Sequence, residues 1–189
     1  MDYKRIVPFA AVMVIYLAYP IIMISSYENV LEEGIAYRFR PIPVDPVDAF
    51  RGRYVTLSFN NLRAQFPDAI NQLNYGEEVF ATVAEDSLGF AYFNGASLLP
   101  PATGSNYIKT YVRQVDSNEV FLATPENMRR FYVNEAIAPA VEKRYREMVR
   151  NNRNSQSMDS IAYLSVRVLK GRVISEALYL GGERIGIKE

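Results

Sequence analysis

Hydrophobic and polar positions divide the chain into two unlike parts. Ile6 to Ile24 runs for 19 residues without a charge, and Lys4 and Arg5 precede it. A helix of about 20 apolar residues crosses the hydrocarbon core of a bilayer. Phe9, Val12, Met13, Tyr16, Leu17 and Ile21 do not form one stripe, the pattern of a membrane anchor rather than of a soluble amphipathic helix, and Ile6, Phe9, Met13, Tyr16, Tyr19, Pro20 and Ile24 are its expected anchor residues. The two cations predict a cytoplasmic N-terminus, with the rest of the chain beyond the opposite membrane face. Pro8 falls in the first turn, where it costs little; Pro20 lies inside the run and predicts a kink. A cleaved signal peptide is the alternative. Its apolar region would be long, since such regions run about 7–15 residues, and Ile24 weakens a cleavage site after Ser26.

Residues 25–34 are polar and continue the helix or link it onward, with Gly34 as its stop. The expected division is an anchor over 1–26, a linker over 27–34 and a domain over 35–189. Within the domain the period changes to two. Ile35 to Arg40 alternates and predicts a strand; Pro41, Pro43 and Pro46 predict an extended stretch outside any ladder. Arg53 to Asn60 predicts a strand with Val55, Leu57 and Phe59 on one face. Glu77 to Glu85 and Leu88 to Phe93 predict a hairpin through Glu85-Asp86-Ser87. Tyr107 to Val115 and Asn118 to Ala123 predict a second hairpin. Thr124 is the expected cap of a helix whose first residue is Pro125. Ile137, Val141, Tyr145 and Met148 mark the apolar stripe of the main helix, which begins near Ala138 because of Pro139. Ile161 to Leu169, Val173 to Leu180 and Glu183 to Ile187 predict strands turning at Lys170-Gly171 and Gly181-Gly182. The fold class is α+β: one transmembrane helix, then a mainly antiparallel β domain closed as a small barrel or sandwich, with one main helix near 138–150.

Composition narrows the chemistry. Acidic and basic residues balance at 21 each, so no excess charge points to nucleic acid. The chain has no cysteine and no histidine. Disulfides, thiolate catalysis and imidazole acid–base chemistry are excluded, and no cofactor or metal is expected. The 14 tyrosines suit a β-rich domain beside a bilayer or a partner.

The segment Pro43 to Phe59, P-V-D-P-V-D-A-F-R-G-R-Y-V-T-L-S-F, resembles the signature of the GDYXXLXY family. Gly52, Tyr54 and Leu57 match it; Phe59 stands for the last Tyr, and Arg53 replaces the Asp. Arg130 to Glu135 (R-F-Y-V-N-E) and the C-terminal G-R-V and L-Y-L-G-G-E-R-I runs extend the resemblance. It implies a membrane-anchored bacterial protein without an assigned activity, a companion of a polytopic membrane protein. Physically, Gly52 allows the turn into a strand and Tyr54 offers a hydroxyl to a loop. The architectural role of this signature is the default; a binding role would fall on Asp45, Asp48, Arg53 and Tyr54. Glu135 is a further candidate, because a carboxylate at a helix start meets the positive end of the dipole.

Three functional readings follow. The first is an extracytoplasmic accessory protein tethered in the bacterial inner membrane, binding a polytopic partner through the Met13, Tyr16 and Tyr19 side of the anchor and through nearby loops. The second is a periplasmic module holding a small ligand or envelope component inside the barrel. The third is a degenerate signal-peptidase-like hydrolase, in which a buried Lys109 would serve as base to a hydroxyl nucleophile.

Overall fold

A computed structural model describes residues 3–42, 54–59, 62–66, 73–102, 104, 106–116, 119–151 and 162–186. Helix α1 (Tyr3–Glu33) is continuous through Pro8 and Pro20 and ends at Gly34. Residues 27–33 therefore belong to the same helix as the apolar run. Ala11–Glu33 is long and apolar enough to cross a membrane, and none of its most apolar stretch is buried. By length and composition it is a membrane anchor or a signal helix.

Two sheets follow. β5 (Arg63–Gln65), β7 (Ala91–Ser97), β6 (Glu78–Glu85), β8 (Tyr107–Val115) and β9 (Glu119–Leu122) close into a five-stranded barrel in that order. Its pairings are antiparallel except the closing seam, where β5 and β7 meet in parallel at Gln65 and Gly95. Val79, Ala81, Val83, Ile108, Val112 and Val120 are buried at alternate strand positions, as a packed barrel requires. The second sheet runs β1 (Ile35–Phe39), β11 (Ala162–Leu169), β12 (Arg172–Leu180), β13 (Glu183–Ile185), all antiparallel. Its two hairpins turn through Lys170-Gly171 and Gly181-Gly182, all four with positive φ, the backbone that two-residue hairpin loops demand.

Short ribbons join the sheets. β2 (Pro41–Ile42) pairs with β4 (Ser58–Phe59), and β3 (Tyr54–Thr56) pairs with β10 (Arg130–Tyr132). One hydrophobic core runs through barrel, sheet and α3 (Ala138–Asn151). Phe39 stands at its centre, meeting Phe59 and Phe93 edge-on at 6.0 and 6.1 Å. The Tyr145 side chain of α3 is buried and its hydroxyl donates to the Ile42 carbonyl at 3.5 Å. Burying side chains of this size stabilises by about 1.5–3 kcal/mol each.

Several expectations are corrected. The helix begins at Ala138, as Pro139 predicts; Ile137 is exposed because it precedes the first helical residue, and Ala138 takes its place in the buried stripe with Val141 and Tyr145. Pro41 does join a ladder: as the first residue of a two-residue edge strand it needs no N–H donor. The short helix α2 (Glu126–Arg129) has Pro125 at its cap position and no side-chain cap from Thr124. The hairpin partner of β6 starts at Ala91 rather than Leu88. Asp86 explains this: its Oδ1 accepts the N–H groups of Leu88 and Phe90, which holds Leu88 in the turn.

Candidate functional site

α1 does not simply hang from the domain. Val30 is buried against it, Arg172 donates to the Ser26 hydroxyl, and the Arg167 guanidinium donates to the Gly34 carbonyl at 3.2 Å. Arg167 is itself fixed by Glu176 at 3.1 Å, which a bulge in β12 turns toward it. The β11–β12 turn is tied to the barrel in the same region. Lys109 N–H donates to Gly171 O at 2.9 Å, and Gly171 N–H donates to Tyr107 O at 3.1 Å. α2 is pinned from the other side, with Asn127 Nδ2 donating to Val173 O at 3.0 Å and Ser175 Oγ donating to Asn127 O at 2.6 Å.

These ties leave a groove of about 650 Å³ between α1, β8, α2 and the start of β12. Met23, Ser26 and Tyr27 line its α1 wall. Lys109, Arg129 and Arg172 line the domain side, with Glu126 the one carboxylate among its lining residues. Glu126 faces Arg129 at 3.9 Å and Arg130 at 3.5 Å. No sequence period announces this groove, since its walls come from four separated segments, and Lys170-Gly171 reads only as a turn.

Lys109 pairs with Glu78 at 2.7 Å and is half exposed. The bond to Glu78 raises its pKa above the ordinary lysine value. A serine/lysine hydrolase needs the opposite, a lysine that gives up its proton, so the hydrolase reading loses its base. The ligand-module reading expected space within the barrel; the buried strand positions fill that interior, and the 650 Å³ groove lies at the helix–domain junction.

The two sequence motifs meet in the β3–β10 ribbon. Tyr54 stands opposite Tyr132, ring to ring at 5.8 Å, and the Arg130 guanidinium lies 5.4 Å from the Tyr54 ring. Val55 pairs with Phe131, and Leu57 N–H donates to Arg129 O at 2.8 Å, which breaks the expected long strand at Leu57. Val55, Leu57 and Phe59 are buried, as their alternation predicts. A family model for the GDYXXLXY protein matches residues 16–178, from within α1 to β12. The chain belongs to the GDYXXLXY family. No curated protein and no solved structure matches this GDYXXLXY chain.

Of the candidate binding residues in this GDYXXLXY chain, Asp45, Asp48 and Arg53 lie outside the described residues. Tyr54 is half-buried in the aromatic pair above. Glu135 is exposed just ahead of α3, where Asn134 does the local capping: its Oδ1 accepts Ala136 N–H at 3.0 Å and its carbonyl accepts Ala138 N–H at 3.0 Å. The anchor residues Phe9, Met13, Tyr16, Tyr19 and Ile24 are exposed along α1. Among the described residues no group of three acidic side chains could hold a metal ion.

Proposed function

We propose that this chain is a membrane-tethered accessory protein. α1 retains it in the bacterial inner membrane with a cytoplasmic N-terminus, and the β domain stands on the extracytoplasmic side beside a polytopic partner that α1 contacts. One observation carries the reading. Tyr16 lies about 15 Å from the start and 12 Å from the end of the apolar run at 1.5 Å per residue, close to the midplane of a hydrocarbon core about 30 Å thick. Its side chain is 78% exposed. Pro20, four residues on, has no N–H, so the Tyr16 carbonyl loses its helical donor. A hydroxyl and a free carbonyl thus share one level of the span, too deep for the ring to reach water. In lipid each needs a partner, and a neighbouring membrane helix supplies one.

The test is detergent co-purification of the tagged, full-length chain against its Tyr16→Phe variant. A stoichiometric membrane protein is expected with the parent. Intramembrane hydrogen bonds contribute about 0.6–2 kcal/mol, so the variant should bind it roughly 3- to 30-fold more weakly. Recovery of the parent alone overturns the proposal. Orientation is checked by a C-terminal reporter, and reporter activity in the cytoplasm would reverse it.

A further inference from the structure

The junction groove sits at a definite height. Headgroup layers add about 5–7 Å to each side of the hydrocarbon core, which a helix crosses in about four residues. Counting on from Ile24, those are residues 25–28, and the α1 wall of the groove is centred on Ser26 and Tyr27, with Met23 just below in the apolar run and Val30 above against the domain. A tyrosine at this level is where interfacial aromatics gather. The domain brings Lys109, Arg129 and Arg172 to the groove, with Glu78 paired to Lys109 at 2.7 Å and Glu126 facing Arg129 and Arg130, so the cations still outnumber the carboxylates that meet them. The groove is therefore cationic where lipid phosphates lie. It is also apolar at Met23, below that level, where glycerol and the first chain carbons would lie.

We propose that the groove binds one glycerophospholipid of the surrounding bilayer. Its phosphate is held by Lys109, Arg129 and Arg172, and its acyl chains descend along α1 past Met23. Arginine and lysine together suit a phosphodiester, arginine through paired N–H donors and lysine as a compact charge. The Arg172–Ser26 contact adds a hydroxyl beside the cation. The volume of about 650 Å³ suits a headgroup with its glycerol, and the chains need no protein cavity because they remain in the bilayer.

The experiment uses the full-length chain in mild detergent, delipidated and titrated with phosphatidylglycerol under native mass spectrometry. One bound phospholipid is expected. Lys109→Gln/Arg172→Gln should weaken it about tenfold or more, the loss expected when charge-assisted bonds of roughly 1.5–3 kcal/mol are removed. Thr124→Trp changes no charge and places an indole in the groove; it should also displace the lipid. This second variant keeps the test valid if the first loosens α1, and unchanged helix content and melting mark each variant as folded. Diacylglycerol, with the same chains and no phosphate, should not bind. Absence of an adduct, equal affinity in the folded variants, equal binding of diacylglycerol, or full displacement by millimolar inorganic phosphate would each overturn the proposal. Capture of a partner protein through Tyr16 does not enter the readout.

Discussion

Gly34 is the joint on which the placement of the whole domain depends, and replacing it with alanine tests the joint directly. A Cβ there would lie 2.2 Å from the Val30 carbonyl oxygen, 3.2 Å from Arg167 Cβ and 3.3 Å from Val168 N. An ordinary contact begins near 3.4 Å, so the overlap with Val30 O exceeds 1 Å. The obstacle is backbone, and it is the same carbonyl that accepts Gly34 N–H at 3.0 Å. The chain must either unwind the last turn of α1 or draw β1 away from β11. Unwinding forfeits one backbone hydrogen bond, about 1 kcal/mol, and the charged Arg167 bond to the Gly34 carbonyl, about 1.5–3 kcal/mol. Together these give roughly 2–4 kcal/mol, which at about 2–4 °C per kcal/mol for a chain of this size lowers Tm by roughly 5–15 °C. Thermal unfolding of the full-length chain in detergent, followed by circular dichroism, measures it. Arg167→Met supplies the cycle: if the glycine acts through this joint, the two substitutions together should cost less than their sum. A Gly34→Ala protein melting within 1 °C of the parent would refute the rigid joint.

Thr110 is fully buried and donates to the Ala123 carbonyl at 2.6 Å, so Thr110→Val should cost about 1–2 kcal/mol in urea unfolding while Thr110→Ser costs less of the hydrogen bond; a valine variant as stable as the parent would mean that the carbonyl is satisfied otherwise. Burial raises the pKa of Tyr145, and burial with the charge of Glu85 raises that of Tyr37. Raised phenol values favour the neutral ring in the fold, so this stability is intact below the ordinary tyrosine value of about 10 and falls as pH climbs through the folded values. Melting between pH 8 and 11.5 should show that decline, and Tyr145→Phe should flatten it. Gly171→Ala puts a Cβ at φ +85° and 3.1 Å from Tyr107 Cε2, and a cost of about 1–3 kcal/mol is expected from the backbone alone; chemical denaturation at an unchanged m-value checks it.

Much of the fold was legible because its strands are long and half-buried. Tyr107–Val115 was bounded to the residue, and the β11–β12–β13 meander could be read from alternation plus Lys170-Gly171 and Gly181-Gly182. Two of the three-residue elements were not legible: β5 and β10 are too short for a period to register, yet β5 closes the barrel. The start of β7 was misplaced since Leu88 continues the apolar alternation while the Asp86 side chain withholds its N–H from the ladder. Ile137 joins the apolar stripe by spacing, but it precedes Ala138, the first helical residue, so helical spacing does not place its side chain. For the site, the anchor's Tyr16 and Pro20 stood out in sequence. The groove did not, because Ser26, Lys109, Arg129 and Arg172 converge only through pairings 46 or more residues apart.

The joint, the groove and Tyr16 lie on one side of α1. At about 3.6 residues per turn, Val30, Met23, Tyr19, Tyr16 and Val12 fall within a narrow arc of the helix, with Tyr27 and Ser26 flanking it. Val30 faces the domain, so Tyr16 and Tyr19 lie beneath the domain and not behind it. A continuous helix ending in the Gly34 joint keeps that alignment, since no flexible segment separates the span from β1. On the proposed reading, the partner's membrane helix then runs under the overhang of the domain, with a lipid headgroup between the two. Val14, Leu17 and Ile21 project from the opposite face and should tolerate exchange among apolar residues without loss of partner. Tyr16 should tolerate none that removes its hydroxyl.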